Sequence, residues 1–178
     1  MRLLINQRIL MERTSTTRHL TILALYTTLA LAIYGVESLL PPLLPIPGMK
    51  LGLANIITLL VLTRYRAKDT LLVLLARILL SAFTFGQALS LLYSLCGGLC
   101  CFLAMWGVKS LLKNRYLYIT SIFGAIFHNL GQILIALLLT RTLGVLSYLP
   151  FLLICAIVTG LFTGLCAHFA AKLLHGLA

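Results

Sequence analysis

The lysines and arginines of this chain lie between its long apolar stretches, and this spacing constrains the fold more than any other feature. The chain has 14 basic and three acidic residues among 178, is 61% hydrophobic and has a mean hydropathy of +1.09. Apolar runs of about 20 residues can cross a bilayer as α-helices, which satisfy their own backbone hydrogen bonds in lipid. We predict six transmembrane helices, at about 20–38, 51–63, 70–86, 88–106, 117–139 and 145–170.

The positions of the basic residues also predict how the helices are oriented. They cluster before the first helix, after the second, after the fourth and at the end of the chain: Arg2, Arg8, Arg13, Arg18, Arg64, Arg66, Lys68, Lys109, Lys113, Arg115 and Lys172. The positive-inside rule places these clusters in the cytoplasm, with both termini inside (N-in/C-in). The net charge of +11 then suits anionic lipid headgroups and not nucleic acid.

We therefore predict an all-α integral membrane protein with one membrane domain. Residues 1–19 form a basic cytoplasmic segment, expected to be a short amphipathic helix on the membrane surface. Residues 20–172 form the six-helix domain, and residues 173–178 form a cytoplasmic tail. We expect a multi-pass protein of a cell membrane, specifically a prokaryotic plasma membrane.

One arginine lies inside an apolar run, and a charge there is costly enough to indicate a functional site. In the third predicted helix, Arg77, Ser81 and Thr84 share one face; in the fifth, His128 and Gln132 are four residues apart. Other polar residues lie near the outer ends of the first, second, third and fifth helices. The candidate substrate-binding residues are Glu37, Lys50, Asn55, Arg77, Ser81, Gln87, His128, Asn129 and Gln132.

If these polar faces converge, they form a pocket with a net charge of about +1, from Lys50, Arg77 and Glu37. A carboxylate or phosphate on a ligand would complete it, and arginine suits bidentate contact with either. The proline-rich, apolar segment 39–50 is stiff and predicts a lid over the pocket. Alternatively, Arg77 pairs with Glu37 to join two helices, Lys50 only extends to the membrane surface, and His128 makes a structural hydrogen bond.

Several kinds of chemistry are disfavoured by what the sequence lacks. It contains no phosphate-binding loop of the ATPase type and too few carboxylates for a magnesium site or acid–base pair. Cys96 and Cys100 lie four residues apart, but without a nearby His or carboxylate we expect the five cysteines to act as packing residues. We expect no catalytic residue, no metal and no cofactor.

Two patterns of small residues predict sites where helices approach closely. Ala24, Thr28 and Ala32 are spaced by four in the first helix, and Gly160 and Gly164 are spaced by four in the sixth. Such patterns usually serve packing within a bundle, although they also fit the docking of another protein.

Three segments resemble one small membrane family. They are residues 47–56 (PGMKLGLANI), the stretch from 76 to 86, and residues 124–132 (GAIFHNLGQ). The family is labelled heptaprenyl diphosphate synthase component I and also Gx transporter, and the resemblance covers roughly residues 18–172. The family in turn resembles the substrate-binding S components of energy-coupling-factor (ECF) importers.

The second resemblance implies a six-helix bundle with an outward pocket covered by loops. It also implies partners, a membrane coupling protein and two cytoplasmic ATPases, that meet an Ala-x-x-x-Ala pattern in the first helix. Here the matching residues are Ala24, Thr28 and Ala32, with threonine in place of the middle alanine.

Three functions are compared on these grounds. The first is the substrate-binding subunit of an ECF-like importer for a small, anionic and partly apolar solute, such as a vitamin or precursor. The second is an accessory membrane subunit of isoprenoid, prenyl diphosphate or quinone metabolism. Known prenyl synthases use aspartate-rich motifs, whereas this chain has one aspartate, Asp69, so prenyl transfer by this chain alone is not expected. A self-contained transporter lacks a membrane carboxylate for a coupling ion.

Overall fold

The computed structural model describes the backbone of residues 2–39, 49–85, 88–112 and 116–176, and the side chains of residues 16–173 within those ranges. The described residues form helices and turns without a strand, so the fold is all-α, as predicted. The helices are α1 (Arg2–Leu39), α2 (Asn55–Arg64), α3 (Ala67–Phe85), α4 (Ala88–Leu112), α5 (Leu117–Thr140) and α6 (Leu149–Gly176), with a 3₁₀ helix (Leu143–Tyr148) before α6.

Each predicted span coincides with one of these helices, apart from the start of α1. That helix runs without a break from Arg2 to Leu39, so the basic N-terminal residues extend the first helix and do not form a separate one. The proline-rich lid, at residues 40–48, and Gln87 lie outside the described residues.

Four segments are long and apolar enough to cross a membrane: Thr16–Leu39, Ala88–Leu112, Leu117–Thr140 and Leu143–Leu173. The two other helices fall short of this standard for different reasons. With 10 residues, α2 is about 15 Å long, half the thickness of a hydrocarbon core. With 19 residues, α3 is longer, but it carries Lys68, Asp69 and Arg77.

The short helix α2 lies in the centre of the bundle. Leu59, Val61 and Leu62 are each no more than 1% exposed, as expected for a helix that is apolar on every side. They belong to a core that includes Leu74 of α3 and Met105 of α4. The residues of α2 are apolar because they pack in the core, although the helix is too short to span a bilayer.

The helices α5 and α6 approach each other closely at glycines. A Cβ at Gly160 would lie 2.7 Å from the Cα of Ile122, and one at Gly164 would lie 2.7 Å from the Cα of Tyr118. Packing within the bundle, the interpretation given to these two glycines, is therefore confirmed.

The outer surface of the bundle is strongly apolar. Phe83, Leu111 and Leu143 are 85%, 82% and 75% exposed, and many other leucines are more than half exposed. A soluble protein rarely shows so much contiguous apolar surface. Together with the four long apolar helices, this surface indicates a membrane protein.

Candidate functional site

The carboxylate of Glu37, near the end of α1, is bound by the backbone that enters α2. It accepts hydrogen bonds from the amide nitrogens of Gly52, at 2.6 Å, and Leu53, at 3.1 Å. The side chain is 5% exposed, and both oxygens are engaged. Such charge-assisted bonds are stronger than neutral ones, so Glu37 fixes the segment before α2 against α1.

Gly52 occupies a position that no other residue fits well. Its φ of +78° lies in the left-handed region, which costs L-residues with a side chain about 1–2 kcal/mol. An added Cβ would also lie 2.7 Å from Nδ2 of Asn55 and 2.7 Å from Nε2 of His128. Gly52 therefore lies between the Glu37 carboxylate, which its amide binds, and the side chains of Asn55 and His128.

Arg77 lies in the middle of α3 and is 3% exposed. Its Nη2 donates a hydrogen bond to Oδ1 of Asn55 at 3.3 Å. Among the described residues, the Arg77 side chain makes no other hydrogen bond. No ion pair within 4.0 Å joins Arg77 to Glu37, and the one ion pair in the described part of the chain is His19–Asp69. A guanidinium has five N–H donors, so a neutral amide satisfies little of its capacity.

His128 and Gln132 extend this site from α5. Both are nearly fully buried, and the Gln132 amide nitrogen lies 3.0 Å from Nε2 of His128. If that amide donates, Nε2 is the acceptor and Nδ1 carries the proton of a neutral ring. Nδ1 is buried against Gly97 of α4, without a well-aligned acceptor among the described residues.

We call these residues the polar cluster: Glu37, Gly52, Asn55, Arg77, His128 and Gln132. They come from α1, the segment before α2, α2, α3 and α5. Five of the nine candidate residues are thus brought together in the interior of the bundle. An arrangement of one cation, one carboxylate and neutral hydrogen-bonding groups can bind and orient a polar ligand, and it offers no pair of carboxylates for acid–base chemistry.

Lys50 lies at the edge of the polar cluster. Its Nζ is 3.5 Å from the centroid of the Tyr34 ring and donates to Oγ of Ser38. The Tyr34 hydroxyl in turn lies 2.7 Å from Oγ of Ser90 on α4. These contacts hold the ammonium against α1, half-buried, where its charge acts on Glu37. Arg77 and Lys50 together exceed the one carboxylate by one positive charge.

Two other candidates occupy different positions. Ser81 is buried, and its hydroxyl donates to the Ile78 carbonyl of its own helix at 2.8 Å. Asn129 donates from Nδ2 to the Leu152 carbonyl of α6 at 2.8 Å, so its described contact joins two helices. Thr84 is exposed and bonds to the Leu80 carbonyl, so the polar face of α3 is buried only as far as Ser81.

The small residues of α1 lie on one exposed face of the helix. Ala24, Thr28 and Ala32 are all exposed, and the Thr28 hydroxyl is satisfied by the Ala24 carbonyl at 3.0 Å. On one side of the triplet, Leu25 and Leu29 are 60% and 54% exposed, whereas Leu23 and Thr27 on the other side are buried. The triplet is therefore a strip of small side chains at the surface of the bundle.

Sequence reasoning missed three residues of the site: Tyr34, Gly52 and Gly97. Gly52 lies inside the segment 47–56 that carries the family resemblance, yet periodicity assigns no role to a glycine outside a helix. Tyr34 lies three residues before Glu37, on the same face of α1, and that spacing was the signal available. Gly97 gives no polar signal, because it contributes only space for the His128 ring.

Comparison with known proteins identifies a family. No curated protein sequence matches the chain, and no solved structure matches it. A family model does match, over residues 26–170, which includes every residue of the polar cluster and most of the bundle. The chain belongs to the family described as heptaprenyl diphosphate synthase component I.

Proposed function

We propose that this protein is the substrate-binding membrane subunit of an ECF-like importer, and that it binds a small solute with an anionic group. The observation that carries the proposal is that Arg77 is buried with a neutral hydrogen-bond partner, Asn55. The Glu37 carboxylate is instead bound by two backbone amides.

A buried guanidinium without an ion-pair partner is unfavourable, because its lost hydration is not replaced. A carboxylate or phosphate on a ligand would supply that partner through two parallel N–H···O bonds. Asn55, His128 and Gln132 would bond the neutral polar atoms of the same ligand. In this account the chain acts without catalytic chemistry of its own, and partner subunits hydrolyse ATP.

The proposed topology has six crossings with both termini in the cytoplasm. The four long apolar helices span the bilayer, α3 crosses with Arg77 facing the bundle interior, and α2 is shielded from lipid by its neighbours. The basic residues after α2 and α4 then lie inside. Glu37 and Lys50 lie at the opposite, outer end, where a solute would enter.

The exposed face of α1 supports the same proposal from the outside of the bundle. Small residues at Ala24, Thr28 and Ala32 leave a groove where a helix of another protein can approach closely. We propose that a membrane coupling protein docks there.

A second candidate is favoured by the family's description, which names a prenyl diphosphate synthase. In that function the chain would be an accessory membrane subunit for a soluble synthase. The two acidic residues whose side chains are described, Glu37 and Asp69, lie near opposite ends of the bundle and do not form a carboxylate pair. The synthase subunit would supply the whole magnesium-dependent site.

Native mass spectrometry of the protein purified gently from its own membranes separates the two candidates. The importer predicts a retained anionic small molecule and co-purifying ATPase subunits. Arg77→Gln should weaken retention by roughly 2–5 kcal/mol, or at least about 30-fold. The matched control is Arg141→Asn, which removes the same charge from an exposed residue and keeps a side chain that tolerates its φ of +50°.

Equal retention by Arg77→Gln and the wild type, in samples with the same unfolding temperature, would refute the pocket. An empty protein that co-purifies with a soluble prenyl synthase would establish the second candidate instead.

A further inference from the structure

At the other end of the bundle from Glu37 and Lys50, the structure has an open cleft of about 740 Å³. It lies where α2 ends, α3 begins and α4 ends, beside residues of α1 about 30 Å along the helix from Glu37. Its lining residues all carry polar groups and come from four helices and the α2–α3 turn. The lining residues are Thr16, His19, Thr63, Arg64, Tyr65, Arg66, Asp69 and Lys109.

We propose that this cleft binds a phosphate-bearing anion. Arg64, Arg66 and Lys109 give it three fixed positive charges, and Asp69 gives it one negative charge. The described lining residues therefore carry a net charge of +2, with His19 not counted. Two arginines and a lysine from separate elements around one concave surface are the groups that bind phosphate oxygens.

The carboxylate of the cleft does not neutralise these cations. Asp69 accepts from the backbone amide of Arg66 at 3.3 Å, and its other oxygen lies 3.3 Å from Nε2 of His19. No arginine or lysine side chain among the described residues forms an ion pair with it. In addition, Nε of Arg64 is buried and has no hydrogen-bond partner in the part of the chain that the structure describes.

Structural contacts account for Lys109 and for part of the Arg64 guanidinium, but not for Arg66. Lys109 donates to the Leu62 carbonyl, one of the last carbonyls of α2, and so helps to cap that helix. The carbonyl of Val61, also in the last turn of α2, accepts a hydrogen bond from the Tyr65 amide at 2.8 Å. The Arg64 side chain interacts with the Tyr26 hydroxyl of α1, but its Nε stays without a partner among the described residues. Capping gives no role to the side chain of Arg66, and Lys109 keeps two N–H donors for a ligand.

Two classes of ligand carry such a phosphate group: an anionic lipid, in its headgroup, and a soluble phosphate compound. An open cleft at the end of membrane-spanning helices is accessible to both. The first test uses the full chain in phosphatidylcholine nanodiscs, titrated calorimetrically with inorganic diphosphate. The second uses nanodiscs that also contain phosphatidic acid, followed by native mass spectrometry to detect a retained lipid.

The informative variants are Arg64→Gln and Arg66→Gln, and the matched control is Lys68→Gln. Lys68 is a basic residue of the same turn region, but it is exposed and does not line the cleft. Arg66 is also exposed, so its replacement tests binding without disturbing the core. Loss of one charge-assisted contact should weaken binding by about tenfold in either arginine variant and leave Lys68→Gln close to the wild type.

Saturable diphosphate binding without a retained lipid would assign the site to a soluble phosphate. Retained phosphatidic acid that diphosphate displaces would assign it to a lipid headgroup. Two results would overturn the proposal: no saturable binding of either probe, or an equal loss in Arg66→Gln and Lys68→Gln, which would mean that only the general surface charge matters.

Discussion

Replacement of Gly52 by alanine tests whether the polar cluster is assembled as the structure describes. The new methyl group would meet Nδ2 of Asn55 and the ring of His128, each at 2.7 Å. The backbone would also have to keep a φ of +78° with a side chain present. Gly52→Ala should therefore destabilise the fold and displace the two amides that hold Glu37.

The expected loss follows from two separate effects. The left-handed backbone costs about 1–2 kcal/mol for a residue with a Cβ. A methyl group forced into a packed interior costs about 1–3 kcal/mol more. Together they predict a loss of about 2–5 kcal/mol in the free energy of unfolding.

Thermal unfolding in one detergent measures this loss, with Gly107→Ala as the matched control. Nothing lies within 4 Å of a Cβ at Gly107, a helical position, so alanine there should stabilise by up to about 1 kcal/mol. His128→Ala in the Gly52→Ala background should recover part of the steric cost, because it removes the ring that the methyl group meets. Two results would contradict the contact between position 52 and the His128 ring. One is a Gly52→Ala protein with the unfolding temperature of the wild type, and the other is a double variant whose loss of stability equals the sum of the two single losses.

Two further predictions concern the helix surfaces. Gly160→Val should lower the free energy of unfolding by about 1–3 kcal/mol, because the valine side chain would meet the Ile122 backbone. Thermal unfolding measures this loss, and an unchanged midpoint would contradict the close approach of α5 and α6. Ala32→Leu should leave stability unchanged, within about 0.5 kcal/mol, and abolish co-purification of a coupling protein. Val158→Leu, on the exposed surface of α6, is its control, and retention of the partner by Ala32→Leu would show that α1 is not the docking face.

The sequence predicts the helices well because two strong physical signals agree. Apolar runs mark the helices, and basic residues or prolines mark four of the five connections, so most predicted ends lie within a few residues of the observed ones. It also predicts the short second helix. It does not establish how many helices cross the bilayer, because a buried helix such as α2 and a lipid-facing one have similar compositions.

The partners of polar side chains are harder to predict, because periodicity places residues on a face without identifying the neighbouring helix. His128 and Asn129 are adjacent in the sequence and were assigned to the same pocket. In the structure His128 faces Gly97 and the polar cluster, whereas Asn129 bonds to Leu152 of α6. Successive residues of a helix point about 100° apart, so their different neighbours follow from geometry once the packing is known.

The contact that most affects the functional interpretation is the one between Glu37 and the amides of Gly52 and Leu53. From the sequence, a pairing of Glu37 with Arg77 as a link between helices was a reasonable alternative, since these are the oppositely charged residues of the outer and middle bundle. Backbone amides 15 and 16 residues along the chain engage both carboxylate oxygens instead. Because no sequence pattern signals a carboxylate bound by a loop backbone, this competition was not predictable. Its consequence is that Arg77 has no ion-pair partner within this site, and that is the condition an anionic ligand would satisfy.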